Sequence, residues 1–335
     1  MIVGGKRPDA GTLVAMPHVR SAMFMAMLGA VGLGCGSSSG GGDVDAAVTT
    51  GRVQVILFTH IEDSTPGGAL GTQGSRDQYL GLRARLIDVA GRARAHDLTW
   101  VLQPDWKYLE AARLYEDATT TADTGGKNLF RYLRDDLGAV IDPHSHENGG
   151  YNYTDVAYLL DVLEVGGSTV IGGHIWDPTL TQFQAWDRFR QPVAGEHYPT
   201  ASWRGDILIG AGTPGHVNDP LMSGIWRPRA RDDFFTDDPA GNIVAVGQWR
   251  DDVVGVEELV ALYAAGTVAP GDPLTASWNI NPASITAPSG PQQIDDTVFA
   301  PIAALRDQGA VVSTDFTSLV AAWRAQGATA FVYQP

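Results

Sequence analysis

The stretch VQVILFTHIED, Val53–Asp63, runs apolar and β-branched side chains without a break and then ends in His60, Glu62 and Asp63. A run of this kind has no solvent face. It suits a strand buried on both sides, which is the situation of strands in a parallel sheet covered by helices. Side chains two apart on a strand share a face, so His60 and Glu62 point the same way where the strand leaves the core.

Strands and helices alternate outward from this segment. The apolar spacing of Tyr79, Leu82, Leu86, Ile87 and Ala90 predicts a helix over 76–97, and LTWVLQPDW, 98–106, reads as a second strand. A helix over 126–138 closes on Gly138 and leads to a third strand, AVIDPHSHE, 139–147. The next pair is a helix over 153–167, with Thr154 or Asp155 near its start, and the strand STVIGGHIWDP, 168–178. Strands are expected over 205–212 and 241–249, with a long loop between them carrying His216 and the WRPR of Trp226–Arg229. Loops of that length inside a compact domain are usually functional. A helix (256–266), a strand (274–285) and two further helix–strand pairs complete the chain. Phosphate-cradling glycine motifs of nucleotide binders are absent, which favours a (β/α) barrel of seven or eight strands over an open doubly wound sheet.

The totals agree with a folded enzyme-sized domain: 335 residues, 44% hydrophobic and 18% charged. The formal charge of −15 disfavours nucleic acid as a partner. The single cysteine, Cys35, follows Arg20 and the apolar run 21–33. That run has the length of a signal-peptide core and is too short for a membrane span. GLGC, 32–35, resembles a bacterial lipobox. The resemblance implies a lipoprotein signal over 1–34, lipidation of Cys35, a Gly/Ser linker over 35–51 and a barrel domain over 52–335. The protein is then expected to be exported and anchored to a bacterial membrane. An ordinary secretory signal is the alternative.

In a barrel of this kind the chemistry sits at the carboxyl ends of the strands. Those ends supply His60, Glu62 and Asp63; then Asp105 and Trp106; then His144, His146 and Glu147; then His174 and Trp176; and later Trp278, Asn279 and Asn281. Nitrogen and carboxylate donors together suit zinc or another divalent ion, which activates water. His144 and His146 can converge on one ion, as can His60 and Glu62, and a spare carboxylate, Glu62 or Asp63, could serve as the general base. His174 or Arg227 would steady an oxyanion. His60, Asp105, Trp106, Tyr151, Trp176, His216, Trp278 and Asn279 would meet substrate. His96 and His197 read as incidental, and the tryptophans serve equally well as core.

These residues in this order resemble the polysaccharide deacetylase family, metal-dependent enzymes on a distorted β/α barrel. THIED, Thr59–Asp63, stands where that family has T-F-D-D, and HSHEN, 144–148, stands where it has its histidine motif. The resemblance implies Glu62 as base and Asp63 as metal ligand, with His144 and His146 completing the expected set. Asn148 occupies the place of the family's second motif histidine, and Asn279 and Asn281 fall where its late catalytic histidine belongs. Three functions follow: a metal-dependent carbohydrate deacetylase, a carbohydrate-binding lipoprotein that has lost the chemistry, or a glycosidase using Glu62 and Asp105. Another metal hydrolase, of the amidohydrolase type, is a fourth.

Overall fold

A computed structural model describes residues 51–173, 185–209 and 221–335. Cys35 and its leader, His174, Trp176 and His216 lie outside the described residues. The architecture is mixed α/β. β1 (Val53–Ile61) is buried along its whole length and lies parallel to β2 (Trp100–Pro104) on one edge and to β10 (Thr275–Asn279) on the other. β3 (Val140–Ile141) extends the sheet beyond β2, and β11 (Val311–Ser313) pairs with the start of β1. A second sheet runs β12 (Phe331–Tyr333), β8 (Ser223–Trp226), β9 (Val244–Val246), β7 (Ile207–Ile209) and β4 (Val170–Ile171), and β5 (Val193–Ala194) pairs antiparallel with β6 (Ser202–Trp203) apart from both.

The two faces of β1 explain its unbroken apolar run. Val53, Val55 and Leu57 pack outward against Tyr79, Leu82 and Leu86 of α1 (Gln73–Ala95). Ile56 and Phe58 face inward, joining Val101, Val170, Ile207 and Val246 from the other strands, with Phe316 and Val320 of the helix Phe316–Ala325. Each strand residue is therefore out of water whichever way it points.

Three expectations are corrected. The strands are not all parallel: β8 runs antiparallel to β9 and to β12, and β8 itself arises in the stretch expected to be loop. Continuous ladders do not close the ring among the described residues. One seam is the isolated bridge His144–Gly172, and the other is made where Thr275 N–H donates to Ser223 Oγ (2.7 Å) and Gly224 N–H to Thr275 Oγ1 (2.8 Å). Finally, α2 (Trp106–Tyr115) follows β2 directly, where no helix was expected, because the Asp105 carboxylate accepts the Trp106 N–H and caps it. Among the described residues no helix is long and apolar enough to cross a membrane.

Candidate metal centre

His60 continues the inward face of β1 beyond Ile56 and Phe58, its ring 5.0 Å from that of Phe58. β3 ends at Ile141, and the chain then runs irregularly to His144, which is fully buried and stacks on His60 at 4.0 Å with 29° between the rings. Glu62 reaches the same place: its Oε2 lies 3.3 Å from His144 Nε2 and 3.5 Å from His146 Nε2. Ligand atoms of His60, Glu62 and His144 all lie within 4.8 Å of one another. Two imidazoles and one carboxylate converging from two strand ends form a donor set that fits a divalent first-row ion.

Backbone economy at β4 lets the centre form. Ser145 N–H donates to Gly172 O at 3.3 Å, drawing the segment after β3 against the end of β4. A Cβ on Gly172 would lie 2.6 Å from Gln103 Oε1, and one on Gly173 would lie 2.4 Å from His144 Cε1. Gly173 also has φ +84°, a conformation that L side chains rarely adopt. Gly173 thus leaves the space that the buried imidazole occupies, and Gly172 the space for Gln103 and the Pro143 carbonyl.

His146 stands on a separate turn at the more exposed edge, its ring 4.8 Å from that of His144. Its backbone N–H donates to Asp105 Oδ2 at 3.3 Å. Ser145 Oγ accepts the Glu147 N–H at 2.9 Å, Glu147 adopts φ +52°, and its carboxylate pairs with Arg188. Burial raises the Glu147 carboxyl above its ordinary range even against Arg188. Asp105 has no exposed surface, and its carboxyl is pushed up to about 8, first by burial and then by the charges of Asp63 and Glu62. Asp142, also buried, accepts from Ser168 Oγ at 2.7 Å and is raised to about 7 by burial.

The trio differs from the expected Asp63, His144 and His146. Asp63 instead accepts a hydrogen bond from the Asn148 amide. Asp105, expected at substrate, caps α2 and holds the His146 turn. Trp106 and Tyr151 stack on each other at 4.3 Å, and Tyr151 stacks on the exposed His197 at 4.2 Å. Burial and Glu110 raise the Tyr151 hydroxyl further. Arg227 is engaged by Asp237 (2.7 and 2.9 Å), by the Ala328 carbonyl and by the face of Trp323. Trp278 and Asn279 line a cleft of about 620 Å³ together with Glu62. Sequence reading recognised that His60 and Glu62 could share an ion, yet assigned His60 to substrate and the metal to Asp63, His144 and His146. The signal was present in its i, i+2 relation to Glu62.

No family model matches the chain, and no curated protein matches it. Among solved structures it is similar to the crystal structure of the allantoinase Puue, with a TM-score of 0.50 at 12% identity over 84% of this chain and 92% of that one. It is also similar to a probable polysaccharide deacetylase from Pseudomonas aeruginosa PAO1, with a TM-score of 0.47 at 11% identity over the same shares. The allantoinase likeness is one of fold alone.

Proposed function

We propose that the chain is a metal-dependent hydrolase of the deacetylase type, acting on an envelope or extracellular carbohydrate. The convergence of His60, Glu62 and His144 carries the reading. These three would hold the ion, zinc being the first choice for such donors, and when bound it would polarise a carbonyl oxygen and activate water. Burial of both imidazoles keeps bulk water from the inner side of the centre. His146 Nε2, beside Glu62 and more exposed than His144, is placed to take and return the proton of the hydrolytic step. Asp105 keeps that imidazole in place through the His146 N–H. Trp278 offers an apolar wall to a sugar ring.

One specific observation favours a second reading, a barrel that binds carbohydrate without turning it over. Asn281 serves as a helix cap, accepting the Ala283 N–H at 2.8 Å, so the position expected to carry a catalytic histidine has a structural task here. The carboxylate-pair glycosidase is disfavoured, because Asp105 is fully buried and already accepts two backbone N–H groups. In the proposed setting the mature protein is exported and tethered through lipidated Cys35.

Elemental analysis combined with acetate release from an acetylated glycan tests the proposal. Stoichiometric metal, release abolished by chelation, and a His146→Gln variant that keeps its metal but loses release would support the hydrolase. Metal with no release, together with glycan binding, would move the protein to the second reading.

A further inference from the structure

The loop after the histidines builds a row of aromatic rings that the metal centre does not use. Tyr151 is stacked between Trp106 of α2 at 4.3 Å and His197 at 4.2 Å, with 6° and 12° between the planes, so both its faces are covered. The loop lies against Trp106 because Gly149, at φ +65°, carries no side chain: a Cβ there would lie 2.7 Å from the indole Cζ2. From His197 the rings continue to Tyr198, edge-on at 4.7 Å, and from Tyr198 to Tyr158 at 4.4 Å. His197 and Tyr158 are exposed and Tyr198 is half-buried, so the outer end of the row is open to a ligand. At the inner end Asn148 joins it to the rim of the centre, accepting from Trp106 Nε1 at 3.4 Å and donating to Asp63.

The row is held in place before any ligand arrives. Asp155, fully buried in the helix Tyr153–Val162, accepts three consecutive backbone N–H groups, from Glu196 (3.0 Å), His197 (3.1 Å) and Tyr198 (2.8 Å). Tyr198 Oη donates to Glu110 Oε1 at 2.6 Å and accepts from Arg113 Nη1 at 3.0 Å, and the Arg113 guanidinium lies 3.0 Å from the Glu110 carboxylate. With that ion pair closed, stacking rather than charge decides what the row can hold. Rings fixed in advance lose little freedom on binding. They set apolar faces beside hydrogen-bonding edges, which matches the C–H faces and hydroxyls that alternate along a sugar chain.

We infer that this row is a glycan-docking site separate from the metal centre, taking a neutral sugar chain across His197, Tyr198 and Tyr158. The inference rests on the carbohydrate part of the proposed function and adds a surface that grips the chain whether or not an ion is bound. His197, incidental by sequence, becomes a contact. Tyr151, expected at substrate, is instead the spacer that fixes the rings on either side of it.

The test is isothermal titration of chelated full-length protein with hexasaccharides of β-1,4-linked glucose and of β-1,4-linked N-acetylglucosamine. At least one should bind the wild type. Tyr158→Ala and His197→Ala should each weaken that binding about three- to tenfold, the scale of losing one stacked ring. Tyr158→Phe keeps the ring and should bind as the wild type does, a distinction that general damage to the fold would not make. No binding of either chain, binding indifferent to both alanine variants, or a Tyr158→Phe variant as weak as Tyr158→Ala would overturn the inference. Binding that falls in Trp278→Ala and stands in the two alanine variants would also overturn it, by placing the chain in the cleft beside Glu62. A protein that binds the chain yet takes up no zinc in a separate titration would defeat the hydrolase reading and leave the docking site intact.

Discussion

Replacing His144 by glutamine removes one imidazole from the trio while leaving a side chain that can fill its space. The site is sensitive to the change because His144 is fully buried, stacked on His60 and 3.3 Å from Glu62. A ligand at a hundredfold excess over its Kd that binds only the folded state stabilises that state by about 2.7 kcal/mol. For a domain of this size each kcal/mol moves Tm by about 2–4 °C, so zinc should raise the wild-type Tm by about 5–10 °C. Even a loss of about 100-fold, the upper range for disturbing a ligand's supporting partner, would leave about 0.4 kcal/mol at the same zinc concentration and a shift near 1 °C. Scanning calorimetry with EDTA and with zinc reads this directly. His197→Gln, at an exposed ring outside the trio, controls for adventitious binding and should keep the full shift. His146→Gln should keep most of it, which separates the trio seen here from the one expected by sequence. A wild type indifferent to zinc, or a His144→Gln variant that shifts as far as the wild type, would refute the reasoning.

Gly173→Ala should do comparable damage from outside the donor set, since its Cβ would press on the His144 ring at a positive φ; we expect a loss of about 1–3 kcal/mol in urea unfolding together with weakened zinc binding. Arg83 is buried and binds Glu116 (2.9 Å) and Asp123 (2.9 Å), so Arg83→Ala should cost about 3–5 kcal/mol by stranding the buried Glu116, and adding Glu116→Gln should recover part of that in the same assay. Arg83 also holds the Asp123 carboxyl below its ordinary value. That contribution is complete above the unfolded value of 3.8 and disappears as pH falls through the lowered folded value, so Asp123→Asn should flatten the acid limb of the stability curve by less than about 1 kcal/mol at this exposed position. Cys35→Ser should move the protein from the membrane to the soluble fraction of an exporting host, whereas an ordinary secretory signal would leave the distribution unchanged.

Local pattern determined a great deal by itself. The apolar run of Val53–Ile61 required a strand covered on both faces, and the i, i+2 relation of His60 and Glu62 put them on one side of it. Gly138 ends its helix in the left-handed conformation as its position predicted. These features depend on residues within a turn or two of each other, where periodicity and backbone preference are decisive. The helix after Asp105 was legible too, in an aspartate followed by WKYLEAARLY, but its apolar face is short.

Tertiary structure decided the rest. His144 and His146 look equivalent in sequence as an alternating pair, yet β3 stops at Ile141 and the chain is no longer a strand when it reaches them. Period-two reasoning therefore lost its warrant at that point. The His144 ring fits inside because Gly173, almost thirty residues on, leaves room for it, and His146 stays at the edge because Asp105 holds its N–H. Asp63 fell to Asn148 and Glu62 to the histidines for the same reason. Which of several adjacent donors share one ion is set by where separate strand ends meet, and that distance is written in the packing of the whole sheet rather than in any single stretch of chain.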